Sequence, residues 1–169
     1  MYKLKRSLVT TSLLAFGVTF EMVSKSDDKM REEVANWREG WGFTLGVLPD
    51  GPAVTMRKEG DHMRNLGLGI KNPDLAIMFK NVDAAFLIFT AQIGSPQGFA
   101  EHRAVLHGSV HEAMQVSRAM DLVSTYLFPG FLTARTFKRP PKLSGAQFLN
   151  KLRIMALLGP GLALAALRK

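Results

Sequence analysis

The stretch WGFTLGVLPDGPAVTMRK, residues 41–58, leaves few folds open. Phe43, Leu45 and Val47 fall on one face of a strand, Asp50-Gly51 supplies a turn, and Ala53 to Met56 continues as a second strand. A hairpin of this kind commits the chain to antiparallel pairing. The next residues, EGDHMRNLGLGIKNP (59–73), read as a polar connection punctuated by glycines, and DLAIMF (74–79) then alternates at Leu75, Ile77 and Phe79 as a third strand. Gly67 and Gly69 make half of a dinucleotide fingerprint. Asn72 stands where its third glycine belongs, and an X-Pro turn rather than a helix follows.

Helical periodicity surrounds these strands. Ser26 with Asp27 and Asp28 starts a helix carrying Met30, Val34 and Trp37, which Gly40 ends. Asn81 caps a second helix, in which Val82, Ala85, Phe86, Phe89 and Ile93 repeat on one stripe while Leu87 and Ile88 add apolar surface to another side. Such a helix is either buried on two sides or packs one face on the sheet and lines a ligand cavity with the other. In SPQGFAEHRAVLHGS (95–109) a turn or short helix leads to a strand over 103–107 that stops at Gly108. Ser109 and Glu112 have the spacing of a capping box. The helix they open places Ala113, Val116, Met120, Val123 and Leu127 on one face, opposite Glu112, Gln115, Arg118 and Thr125, and ends at Pro129-Gly130.

Several chemistries are disfavoured. There is no cysteine, so disulfides, thiolate metal sites and cysteine nucleophiles are excluded; a reducing, cytoplasmic compartment is the expectation. His102, His107 and His111 are close in sequence, but the break at Gly108 denies them a shared helical face, and no metal site is expected. The chain has no G-x-S-x-G or comparable nucleophile motif. His62, His107 and Asp83 are poor candidates for a buried acid or base, so the chain reads as a non-enzyme that needs no cofactor. Apolar residues at 47% and nine methionines describe a large, adaptable interior instead.

Charge is unevenly placed. The net charge is +8, and everything after Asp121 contains eight Lys and Arg and no acid, so the excess lies wholly in the tail. The tail runs from a basic Pro140-Pro141 linker through a helix with Phe148, Leu149, Leu152 and Met155 into an apolar stretch broken at Gly159-Pro160-Gly161. That stretch is too short to span a bilayer and either packs on the domain, plugging its interior, or docks on an anionic membrane through Lys142, Lys151, Arg153, Arg168 and Lys169. No aromatic interleaving accompanies the charge, so nucleic acid is not an expected partner. The N-terminal MYKLKRSLVTTSLLAFGVTF imitates a secretory signal without a small-residue cleavage site, and its apolar run is short and interrupted by Thr10, Thr11 and Ser12. A helix packed on the domain, a membrane-surface anchor and a signal remain open. The resulting division is an N-terminal helical extension (1–25), a central domain (26–130) and a helical tail (131–169).

The run FLIFTAQIGSPQGFAEHRAVLHGSVHEAMQV (86–116) resembles the sterol carrier protein 2 family of lipid-transfer domains. The features that carry the resemblance are Ile88 to Thr90, Pro96-Gln97, Phe99-Ala100, Ala104 to Leu106, Gly108 and Ala113-Met114, together with Asn72-Pro73-Asp74 ahead of DLAIMF. Ala91 and His102-Arg103 depart from that family's glycine and Gly-Lys. The resemblance implies an α/β (α+β) fold with a mostly antiparallel five-stranded sheet layered with helices around an apolar tunnel. It also implies non-enzymatic binding and transfer of a fatty acid, sterol-like molecule or other lipid, with no catalytic residue in 95–109. Periodicity assigns the lining to Phe86, Phe89, Ile93, Phe99, Leu106, Val116, Met120, Val123 and Leu127. The alternative is an accessory scaffold that presents a hydrophobic intermediate, such as a quinone or steroid precursor, to partner enzymes. Either way the protein would be cytoplasmic or peripheral to the membrane.

Overall fold

The computed structural model describes residues 2–89, 92–93, 95–127, 145, 147–149 and 151–157. In chain order the elements are α1 (Tyr2–Ser26), α2 (Asp28–Ala35), β1 (Gly42–Val47), β2 (Ala53–Glu59), β3 (His62–Leu68), β4 (Leu75–Phe79), α3 (Val82–Phe89), α4 (Ser95–Ala100), β5 (Ala104–His107) and α5 (Val110–Leu127). The five strands form one sheet in the order β3-β2-β1-β4-β5. β1 pairs antiparallel with β2 in the register Phe43 to Met56 and Leu45 to Val54, as the Asp50-Gly51 turn requires. β2 and β3, and β4 and β5, are also antiparallel, while the central β1 and β4 run parallel. The sheet is thus mixed and mostly antiparallel, with helices layered on it: the α+β architecture expected.

β3 is the strand that the alternation did not reveal. Its buried side consists of Met63, Asn65 and Gly67, not a hydrophobic row. The reason lies in α1. Ser24 Oγ accepts the Met63 amide at 3.1 Å and Glu21 Oε2 accepts the Asn65 amide at 2.9 Å, so α1 side chains satisfy the outward N–H groups of this edge strand and shield it from other chains. The approach is close: a Cβ on Gly17 would stand 2.9 Å from Val54 Cγ2 and 3.0 Å from Asn65 Nδ2. A small residue on the helix and a polar one on the strand are what such proximity needs.

Residues 2–26 therefore do more than extend the domain. Val9, Leu13, Phe16, Phe20 and Val23 of α1 share one core with Phe43, Leu45, Val54, Met56, Leu75 and Ile77 of the sheet and Val116, Ala119 and Val123 of α5. Phe20 stacks obliquely on Phe43 at 5.3 Å between ring centroids. The helix has 25 residues and, unlike the short apolar run expected, is long and apolar enough to cross a membrane by length and composition, but more than half of that stretch is buried inside the domain. The cap of α2 falls one residue later than expected, on Asp27, whose Oδ1 accepts the Met30 amide at 2.9 Å. Its far end is closed by Lys58 from β2, buried, whose Nζ donates to the carbonyls of Val34, Ala35 and Trp37 at 2.8, 3.2 and 2.8 Å. An ammonium at a helix C-terminus is held by those carbonyls and by the helix dipole.

Candidate functional site

The layer between β4-β5 and the helices α3, α4 and α5 contains a wholly apolar cavity. Ile77 and Phe79 of β4, Ile88 of α3, Phe99 of α4, Ala104 of β5 and Met120 of α5 line it. Its volume is about 10 Å³, space for about one water molecule and far from an acyl chain. Local sequence explains the convergence. Asn81 Oδ1 accepts the Ala84 amide at 2.8 Å and starts α3 against the end of β4; α4 then folds back so that Gly98 meets Ile88, where a Cβ would stand 2.5 Å from Ile88 Cδ1. Gly108, at φ +130°, turns the chain from β5 into α5 beside Leu75.

Of the nine residues assigned to a lining, Phe99 and Met120 reach this cavity. Ile77, Phe79, Ile88 and Ala104 complete it, and the two-stripe pattern of α3 was the signal for Ile88. Phe89 lies on the other stripe: it is buried with its ring 6.0 Å from Phe16 and 5.4 Å from Phe79, pinning α3 to α1 and β4. α3 is thus apolar on two sides as its periodicity implied, with Ile88 rather than Phe89 turned to the cavity. Val116 and Val123 are fully buried in the core. Phe86, Ile93, Leu106 and Leu127 are partly buried at its margin, and Lys5 lies over the Phe86 ring at 6.0 Å.

The candidate titratable groups do not enter this cavity. His102, His107 and His111 are exposed. His62 pairs with Asp61 at 3.0 Å, and exposed Asp83 accepts from Lys5 Nζ at 2.6 Å. Among the described residues no three His, Cys, Asp or Glu side chains group as metal ligands would.

A buried polar cluster joins α2, α5 and the tail. Tyr126 Oη donates to Asp27 Oδ2 at 2.5 Å and Gln147 Nε2 donates to the same oxygen at 2.9 Å. Burial pushes the Asp27 carboxyl pKa up, but these bonds and the amides of Met30 and Lys29 outweigh it and hold the group below the ordinary carboxylate range. Nearby, Lys151 Nζ donates to the Thr125 carbonyl at 2.7 Å. Lys151 was expected at a membrane surface; it is instead buried, and burial draws its pKa down. Thr125, expected on the polar face of α5, is buried there too. Ile154 joins the main core, so residues 147–149 and 151–157 sit on the domain through Gln147, Lys151 and Ile154. Arg153 is exposed; Lys142, Arg168 and Lys169 lie outside the described residues.

Asp121, on the same side of α5, is pushed by burial up to about 6, and its Oδ1 has no hydrogen-bond partner among the described residues. Because the folded state holds this proton more tightly than the unfolded chain, whose group titrates near 3.8, stability falls as pH rises between those two values. Asp121→Asn is expected to be as stable as the parent at pH 4 and more stable at pH 7.5, by about 1 kcal/mol once partial exposure is allowed for. Urea melts at both pH values check this; parallel curves would contradict it.

The second opening is larger. A groove of about 300 Å³ runs between the end of α1 and the helical residues 151–157, lined by Met22, Lys25, Ser26, Arg153, Ile154 and Leu157. It is open to solvent and combines an apolar floor with two cations.

No protein-family model matches the sequence, and no curated protein matches it. Among solved structures, the chain is similar to one titled UbiJ-SCP2 Ubiquinone synthesis protein, with a TM-score of 0.47 and 12% identity over 69% of this chain and 96% of that chain.

Proposed function

We propose that the protein binds a hydrophobic small molecule between its sheet and the helices α3, α4 and α5, without converting it chemically. The observation that carries this reading is the wholly apolar meeting of Ile77, Phe79, Ile88, Phe99, Ala104 and Met120, served by a helix that is apolar on two sides. A ligand must open this seam, and α4 is the wall to move: it has six residues and touches α3 through Gly98 and Ile88. Binding then selects the opened state, driven by roughly 25 cal/mol for each Å² of apolar surface removed from water. Ala104→Met fills the seam from the strand side. Uptake of a fluorescent fatty acid is expected to fall at least tenfold in this variant while its melting transition remains cooperative; undiminished uptake would place the ligand elsewhere. Unaided extraction of the ligand from vesicles identifies a carrier, whereas retention without extraction identifies a scaffold serving partner enzymes.

We further propose that the tail docks on anionic membranes, which implies a cytoplasmic protein peripheral to the bilayer. Phe148, Leu152 and Met155 follow i, i+4, i+7 spacing and are 55%, 50% and 48% exposed, with Leu149 beside them at 69%. This outward apolar face belongs to a segment, residues 122–169, with eight cations and no acid. The double variant Leu149→Glu, Leu152→Glu is expected to lower co-sedimentation with phosphatidylglycerol vesicles roughly tenfold, since two exposed leucines lose their burial. Added salt should weaken the parent's binding; salt-independent sedimentation equal in both proteins would refute the docking.

A further inference from the structure

The groove between α1 and the tail is unrelated to the apolar seam and has a different chemistry. Met22, Ile154 and Leu157 form its apolar part, with Leu157 43% exposed and Ile154 rooted in the core. Lys25 stands on one wall and Arg153 on the other. Among the described residues the only carboxylate paired with either is Glu21, which Lys25 Nζ contacts at 2.7 Å. Glu21 is already engaged a second time by the Asn65 amide at 2.9 Å. Arg153 has no ion-pair partner among the described residues, so the mouth of the groove carries a net positive charge above an apolar floor. Its volume of about 300 Å³ lies at the lower end of small-ligand sites.

We propose that this groove binds a single-chain anionic amphiphile, a medium-chain carboxylate in the simplest case. The carboxylate sits between the Arg153 guanidinium and the Lys25 ammonium, and the alkyl chain lies over Met22, Ile154 and Leu157. The planar guanidinium suits a bidentate carboxylate, whereas Lys25 contributes a point charge through a donor that Glu21 does not occupy. A neutral or cationic chain of equal length gains the apolar contact but not the charged one. Because one wall is α1 and the other is the tail segment that also meets Asp27 and Thr125, occupancy ties the tail more firmly to the body.

Methionine methyl groups separate this site from the seam, since Met22 lines the groove and Met120 lines the cavity. The full chain, labelled at its methionine methyls, is titrated with decanoate below its micelle concentration. The Met22 resonance is expected to shift saturably. Arg153→Glu should weaken that response at least tenfold, as should Leu157→Asp, while Arg64→Glu, a surface change elsewhere, leaves it intact. Decanol and decyltrimethylammonium should bind at least tenfold more weakly. An unmoved Met22, an equal response in Arg153→Glu, equal binding of decanol, or a shift produced only by vesicles would each overturn the proposal. A shift at Met120 alone would overturn it too while supporting ligand entry into the seam.

Discussion

Phe89→Asp is expected to leave no cooperatively folded domain, and Phe89→Ala to cost about 3–5 kcal/mol. Phe89 is 5% exposed and its ring contacts Phe16 of α1 and Phe79 of β4, so it joins three elements at one point. Truncation leaves a void where two aromatic edges met; a carboxylate there must stay unpaired or take up a proton. Urea denaturation followed by tryptophan fluorescence reads the loss directly, because Trp37 and Trp41 pack beside Phe43 in the same core. If Phe89→Ala melted like the parent, α3 would not be pinned to α1 as described.

The second large effect belongs to Asp27. Asp27→Ala removes the α2 cap, worth about 1 kcal/mol, and takes from the buried Tyr126 hydroxyl and the Gln147 amide their bonds to the carboxylate, which adds about 1–3 kcal/mol. The damage should spread to the tail. Hydrogen exchange in 147–149 and 151–157 is expected to accelerate more than in β1 or β2, since Gln147 loses its bond to Asp27. A pH signature accompanies it. The Asp27 pKa is lowered in the folded state, so its stabilisation is fully present above the unfolded value of about 3.8 and is lost as pH falls through the folded value. Asp27→Ala should therefore flatten the acid limb of the stability profile. Unchanged exchange in the tail would show that Gln147 and Asp27 do not hold it.

How much of this was legible depended on whether a pattern was local. The hairpin was legible because Asp50-Gly51 and the alternation of Phe43, Leu45 and Val47 are contained within one stretch of chain. β3 was hidden because its buried row, Met63, Asn65 and Gly67, is shaped by Gly17, Glu21 and Ser24 of α1, roughly forty residues earlier in sequence. The two apolar stripes of α3 were visible, but which stripe met α1 was not. Treating residues 1–25 as an extension left Phe89 free to face a ligand, when Phe16 covers it. Lys151 misled for the same reason: its charge argued for solvent, and only the folded chain brings the Thr125 carbonyl within 2.7 Å of its ammonium. The groove was illegible because Met22 and Lys25 lie about 130 residues from Arg153 and Leu157 in sequence, and no periodicity connects them.

Native mass spectrometry of the full chain, purified without detergent and then delipidated and re-exposed to lipid extract, tests hydrophobic-ligand binding most directly. A hydrophobic small molecule should be carried through purification, be lost on delipidation and return at one molecule per seam, with the Ala104→Met protein failing to regain it. The bare mass of the chain before and after exposure to lipid, in a protein that melts cooperatively, would contradict the account.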